Sequence, residues 1–489
     1  MKQAHSSRNI FYGLTAAIGL VLGCVVLCVA NLEAKWIFGI TASFVIAVAV
    51  VLYRDLKVFV LMLLTLLLSV NADLNFFYRE HYGSAGGLYF SAVDLCLLVL
   101  IVHWAFRASA RKPHEARRLP TVSKVMLCAA AALLAAGGIS TILVADDRIV
   151  ALFAWCRLLA CVMLFLYLAF RIDSAKLISR ILLCLCTTLV IQGVFATTQV
   201  VTGSTLGLGF LGEDTSVIEQ QMGSDTLTRA GGTLGHPNGL ASYLEIVLPF
   251  AMALVLVEAR MAHRAAGIIG LLFGTVALIL TLSRGGFLGT VAGLGAIMLL
   301  FLIRSRRRSK AFAVSLVGAL SILVVCLFLN EALTARFLRE DYGEAFSRVP
   351  MMEVAFSMIG DNPIMGVGLN NYALEMAKYD STVVQISSFF PYPVHNLFLL
   401  VTAEMGPVVC LALLIFVGAL IWMSFQLSAS DDWDLRAVGL GTLGASIAFF
   451  MHAQVNVFHI ETITMVWFVA GLSLAAFQVE RNRQHSETQ

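Results

Sequence analysis

Three arginines and two histidines stand apart in a sequence that is otherwise strongly apolar. Arg229 opens the run Arg229-Ala-Gly-Gly-Thr-Leu-Gly-His236-Pro-Asn238, and Arg284 sits in Ser283-Arg284-Gly-Gly. Arg348 follows, and His395-Asn396 closes Pro391-Tyr-Pro-Val-His395-Asn396. Arginine forks match phosphate oxygens bidentately. Grouped, they can stabilise a pyrophosphate leaving group without a metal. A histidine titrating near neutrality can act as a general base. The residue types therefore point to chemistry on a phosphate-linked substrate.

Each feature also has a plainer reading. Arg284 is the only charge in the 39 residues Ala265–Ile303. That stretch is long enough for two membrane spans, so Arg284 falls at a tight hairpin turn or just inside the membrane. A charge at mid-bilayer costs at least about 2.5–3.5 kcal/mol, but a snorkelling arginine at headgroup level escapes most of that cost. Ser283 and Gly285-Gly286 suit a helix break with close backbone approach. In the first run, Pro237 and Asn238 suit a helix start with Asn238 as N-cap. A helix N-terminus beside Arg229 favours an anion such as phosphate. The plain alternative is a capping turn with a solvated arginine, and His236 alone reads more readily as structural. His395 alone reads equally as a cap or an interfacial polar residue. Glu404, some two turns farther on, reads as a buried acid able to pair with an arginine or orient a histidine. His452, Gln454, Asn456, His459 and Glu461 cluster near one membrane end and read mainly as structural.

The elements that hold these residues follow from composition. Of 489 residues, 59% are hydrophobic and 13% charged, against roughly 25% charged in soluble domains. The apolar residues fall in runs of about 18–25, the length of a spanning helix, which satisfies its own backbone hydrogen bonds in lipid. The alternation of a barrel is absent. Candidate spans lie at about 10–30, 35–53, 57–72, 90–107, 122–144, 150–170, 176–201, 238–257, 265–282, 286–303, 311–330, 394–425, 436–456 and 460–478. The first follows Lys2 and Arg8 and is too long for a cleaved signal peptide. The ten cysteines lie in apolar runs without a CxxC pair and read as packing residues.

Charge sets the orientation. Arg107, Arg111, Lys112, Arg117 and Arg118 fill one loop, and Arg304, Arg306, Arg307, Arg308 and Lys310 fill another. Span counting puts both on the side of the two termini, which the positive-inside rule makes cytoplasmic. Two long loops then face outward, 202–237 and 331–394, and long loops are usually functional. Within the second, the spacing of Phe346–Ile359 predicts a helix suited to the membrane surface. No Asp-x-Asp pair occurs in an outward loop, which argues against a metal-dependent transferase of that kind.

Taken in order, these segments resemble the O-antigen ligase and polysaccharide polymerase family. The resemblance runs from about Arg229 to Gly406. It is carried by the Arg229–Asn238 run, Ser283-Arg284-Gly-Gly, Arg348, Asn362-Pro-Ile-Met-Gly-Val-Gly368, His395-Asn396-Leu-Phe-Leu and Glu404-Met-Gly406. The first half of the chain matches only as apolar spans. The resemblance implies an all-α polytopic fold of the GT-C type, and the apolar runs give it about 12–14 transmembrane helices, somewhat more than a ligase leads one to expect. It divides the chain into N-terminal helices over 1–201 and a catalytic region over 202–480. It implies an inner-membrane glycosyltransferase acting at the periplasmic face, with undecaprenyl diphosphate-linked glycan as donor and no cofactor or metal. The acceptor is lipid A-core for a ligase and the next glycan repeat unit for a polymerase, and the His-Pro-Asn form leans toward the polymerases. His395 is implied as the base that deprotonates the acceptor hydroxyl, with Arg229 and Arg284 on the donor diphosphate and Arg348 in support. His236, Asn238, Asn396 and Glu404 are supporting candidates, membrane lipids are the surroundings, and nucleic acid has no place. The alternatives are a transporter or lipid-linked sugar flippase, which should place charges near the membrane midplane, and a structural membrane subunit that tolerates alanine at these positions.

Overall fold

In the computed structural model the described residues are 55–108, 119–216, 218–222, 225–257, 259–304, 347–456 and 460–487. The expected spans at about 10–30, 35–53 and 311–330 lie outside them, as do His459 and the side chain of Glu461. The chain falls into two compact units, Met1–Leu63 and Leu64–Gln489. Of the first, residues 55–63 are described and form the start of α1 (Leu56–Leu67). The second unit is almost wholly helical, as the all-α expectation requires.

Nine described helices are long and apolar enough to cross a membrane. They are α3 (Thr121–Leu143), α4 (Arg148–Arg171), α5 (Ala175–Thr202), α6 (Pro237–Leu256), α7 (Met261–Thr281), α8 (Arg284–Arg304), α13 (Pro407–Leu427), α14 (Trp433–His452) and α15 (Ile460–Glu487). Helix α2 (Ala92–Ala108) is shorter. The chain is thus a multi-pass membrane protein.

Helix α6 is the axis of the bundle. Nearly all its side chains are buried, and α7, α8 and α14 pack around it. Helices α8 and α14 approach closely because Gly285, Gly289 and Gly293 recur every fourth residue on α8 and face α14. A Cβ at Gly285 would meet the ring of His452, at Gly289 the carbonyl of Ala448, and at Gly293 the carbonyl of Gly444. Small residues at this spacing let backbones touch where lipid supplies no hydrophobic drive.

The connecting segments assemble at one end of the bundle. The hairpin β1 (Asp73–Phe76) and β2 (Leu88–Ser91) lies between α1 and α2. The backbone N–H of Asn71 donates to Leu211 and Thr233. Asn370 donates to the carbonyls of Ala85 and Val150, and Arg79 pairs with Asp147. At the other end Arg304 donates to Phe425 and Ser428, Arg483 pairs with Asp432, and His263 meets Ser179 and Trp433. The basic loops that set the expected orientation, around residues 109–118 and 305–310, lie outside the described residues.

The expected outward loop 331–394 is described from residue 347 and is structured. Helices α9 (Arg348–Asp361), α10 (Tyr372–Tyr379) and α11 (Ile386–Phe389) share a core with α12 (Leu397–Met405). The helix expected near Phe346–Ile359 is α9. It buries Met351, Val354, Ala355 and Met358 against these neighbours.

Two expectations need correction. The span expected at 394–425 is two helices, α12 and α13, broken at Gly406-Pro407. Gly406 has φ +87°, and Pro at the first position of α13 cannot continue the preceding hydrogen-bond ladder. The break near Arg284 lies at Leu282-Ser283, with Leu282 itself left-handed at φ 52°. Gly285 and Gly286 sit inside the first turn of α8, where they serve close packing.

A Cβ at Gly406 would collide with the carbonyl of Ile364 in a backbone conformation that disfavours side chains. Gly406→Ala should therefore cost on the order of 1–3 kcal/mol and lower the thermal unfolding midpoint in detergent. An unchanged midpoint would show that the kink is not constrained.

Candidate functional site

The segment 230–236 is a tight glycine turn clamped from below by α5. Gln199 accepts from the Gly232 amide at 2.9 Å and donates to Glu213 at 2.7 Å and to the Gly232 carbonyl at 3.2 Å. Seven residues earlier on the same helix face, Gln192 donates to Thr233 Oγ1 and to the Ser69 carbonyl, both at 2.6 Å. Gly232 and Gly235 take positive φ, and a Cβ at Gly231 would strike the Gly235 carbonyl. Glu213 also receives the amides of Leu206 and Leu208 at 2.7 Å each, so its charge is spent on holding the loop.

The hairpin β3 (Ile218–Met222) and β4 (Asp225–Arg229) delivers Arg229 to this turn. Arg229 is buried; its Nε donates to the Thr281 carbonyl at 2.9 Å and an Nη donates to Asn238 Oδ1 at 3.1 Å. The Ala230 amide donates to Leu280 at 3.0 Å. These bonds pin the arginine to the last turn of α7, directly before Leu282-Ser283 and the first residue of α8, Arg284. A small cleft beside Arg229 is lined by Thr205, Ser216, Gly231 and Gly235 among others. The expected N-cap is corrected here. His236 caps α6 through Nδ1, which accepts from the Asn238 amide at 3.1 Å. Asn238 instead orients Arg229.

His395 is half-buried in a turn whose ends are fixed. Asn396 N donates to Val394 at 2.8 Å, and Asn396 Oδ1 caps α12 by accepting from Phe398 and Leu399 at 3.0 Å each. Leu397 N donates to the Ala453 carbonyl at 2.9 Å, and Asn396 Nδ2 donates to the Gln454 carbonyl at 3.2 Å. The histidine turn is thereby attached to the end of α14. There His452 Nδ1 lies 3.0 Å from both carboxylate oxygens of Glu245 on α6. The edge of its ring lies against Gly285, next to Arg284.

Bonded contacts and packing thus join Arg229, Arg284 and His395 around the starts of α6, α8 and α12 and the end of α14. Helix starts carry partial positive charge. An arginine at the first position of α8 is unfavourable for that helix unless an anion is near, and α6 begins beside a second arginine. The arrangement suits an anionic group held next to a proton acceptor.

Arg348 is exposed at the start of α9, on the small helical unit that shares a core with α12. Glu404 is buried but is not bound to an arginine or histidine. Tyr372 donates its amide to Glu404 Oε1 at 3.2 Å, and Glu404 also receives the backbone of Asn370. Beside it, Val367 N and Gly368 N donate to the carbonyls of Ala403 and Glu404, so the Asn362–Gly368 motif is a strap across the end of α12. Asp380 steadies the neighbouring turn. Burial raises its carboxyl pKa, but hydrogen bonds from Thr382 and Ser387 outweigh burial and hold it below the ordinary value.

Sequence reasoning passed over Gln192, Gln199 and Glu245, and over the ion pair Arg157–Asp94 at 2.6 Å, where Arg157 also donates to Thr464 at 2.6 Å. Their signal was present: each is a polar residue inside an apolar run, and the glutamines recur at seven residues. Among the described residues, no cluster of three His, Cys, Asp or Glu has the makings of a metal site.

The fold that carries this site is that of an all-α multi-pass membrane protein. Residues 269–415 match the family model described as O-Antigen ligase. That stretch holds Arg284, Arg348, His395, Asn396 and Glu404, with Arg229, His236 and Asn238 upstream of it. A search of curated proteins returned no match.

Gln199→Leu removes three hydrogen bonds, each worth about 0.5–1.5 kcal/mol net. Amide exchange over residues 230–236 should accelerate at least about tenfold in hydrogen–deuterium exchange mass spectrometry. Unchanged protection would mean that the turn holds itself.

Proposed function

We propose that this chain is a glycosyltransferase that moves a glycan from an undecaprenyl diphosphate carrier to an acceptor hydroxyl at the periplasmic face of the bacterial inner membrane, with both termini cytoplasmic. The carrying observation is the convergence of Arg229, Arg284 and His395 at one end of the helical bundle. The match of residues 269–415 to the O-antigen ligase family model supports glycosyl transfer in general. The donor, the acceptor and the face are our reading.

In this reading Arg229 and Arg284 hold the donor diphosphate. His395 takes the proton of the acceptor hydroxyl as that oxygen attacks the anomeric carbon. The new C–O bond forms as the bond to the diphosphate breaks, and the electron pair leaves on phosphate oxygen between the two arginines. Attack opposite the leaving group inverts the anomeric centre. Arg348 supports the donor from the helical unit above α12. His236 and Asn238 shape the arginine side of the site, and Asn396 and Glu404 shape the histidine side. The His-Pro-Asn form of the first motif favours a polymerase, with a growing glycan as acceptor, over a ligase acting on lipid A-core.

The test is transfer by purified protein with undecaprenyl diphosphate-linked repeat units in EDTA, with and without lipid A-core. A ladder without added acceptor identifies a polymerase, and a single shifted lipid A-core band identifies a ligase. His395→Ala should lower turnover about 10²–10⁴-fold, the usual worth of a general base. Arg284→Ala should cost on the order of 10²–10³-fold, as for removal of one leaving-group donor. Full activity in both variants, or no transfer by the wild type, would refute the reading.

A further inference from the structure

The buried pair Glu245–His452 has no place in the chemistry above, yet it lies at the meeting point of every part of that site. The carboxylate is fully buried and the imidazole 3% exposed. His452 Nδ1 is 3.0 Å from each oxygen of Glu245, with Ser242 Oγ at 3.4 Å. Two ionisable groups inside spanning helices are costly to bury. An apolar pair of similar volume would often be at least as stable. Stability alone is therefore a poor explanation for them.

Their surroundings supply a better one. On one side, Gly285 packs against the His452 ring and Gly289 against Glu245. The first turn of α8, and Arg284 with it, thus rests on the pair. On a second side, Glu245 belongs to α6, whose first turn carries Asn238, the acceptor for Arg229. On a third, the residues after His452 are Ala453 and Gln454, whose carbonyls anchor Leu397 and Asn396 beside His395. A directional bond between α6 and α14 fixes their relative rotation, which apolar packing alone leaves freer.

We propose that Glu245 and His452 form a positioning unit that sets Arg284 against the donor diphosphate and registers the His395 turn, without touching substrate. The proposal rests on the transferase reading. Its ligand-side chemistry is that of a diphosphate, and its own part is mechanical: no proton passes through the pair. His452→Ala should lower kcat per folded molecule at least about tenfold, and Glu245→Leu likewise. Glu245→Gln, which keeps an acceptor for Nδ1–H, should recover activity to within about threefold of wild type.

The deciding experiment is a double-mutant cycle on transfer from undecaprenyl diphosphate-linked glycan in nanodiscs. It combines His452→Ala with Arg284→Lys, which keeps the charge and loses the fork, and every rate is normalised to folded protein. Residues acting as one unit are non-additive. We expect His452→Ala to cost less than about threefold further in the Arg284→Lys background. Should His452→Ala not fold, Gly285→Ala carries the test: it leaves the pair intact, drives a methyl toward the ring, and should lower kcat about tenfold with Arg284 unaltered. Multiplying penalties in the cycle, or wild-type kcat in Gly285→Ala, would overturn the positioning role and leave the transferase reading intact. A wild type without transfer, or a fully active Arg284→Lys, would overturn both.

Discussion

A carboxylate and an imidazole meet between α6 and α14 at a depth where water cannot solvate either, and the geometry of the whole site end follows from that contact. Glu245 can come within 3.0 Å of His452 only if α6 and α14 are neighbours at a fixed rotation. That rotation turns Gly444, Ala448 and His452 toward α8. Helix α8 answers with Gly293, Gly289 and Gly285. The three glycines on α8 and the hydrogen-bonded contact between α6 and α14 are two halves of one arrangement: the glycines make room, and the Glu245–His452 bond says how that room is used. Three helices then end together, and Arg284 begins the third.

The second constraint is electrostatic. Helix starts at α6, α8 and α12 gather partial positive charge, and two arginines stand beside the first two. Proteins usually put acidic residues at such positions. Here three nearby carboxylates are engaged by other groups: Glu213 by the amides of its loop, Glu404 by the backbone amides of Asn370 and Tyr372, and Glu245 by His452, while Asp214 lines the cleft beside Arg229.

The small helical unit formed by α9 to α12 has a different logic. It carries its own apolar core and is tied to the bundle by polar side chains, notably Asn370, Asn371 and Ser140. Such a cap holds the His395 turn steady at the start of α12. The break at Gly406 belongs to this design, because a continuous helix from Leu397 to Leu427 would drive the cap away from the strap at Asn362–Gly368.

The sequence by itself determined the membrane character and the position of most described spans. These follow from local quantities: run length and hydropathy. It also marked Arg229, Arg284 and His395, because a charge or an imidazole beside an apolar run is costly wherever it ends up. What only the tertiary structure decided is who meets whom. That His236 caps α6 while Asn238 serves Arg229, that Glu404 binds backbone rather than an arginine, and that Glu245 finds a partner 207 residues away depend on packing between distant segments. A residue's cost of burial is written in its own chemistry, but its partner is chosen by helix rotation and approach, which no single stretch of sequence contains.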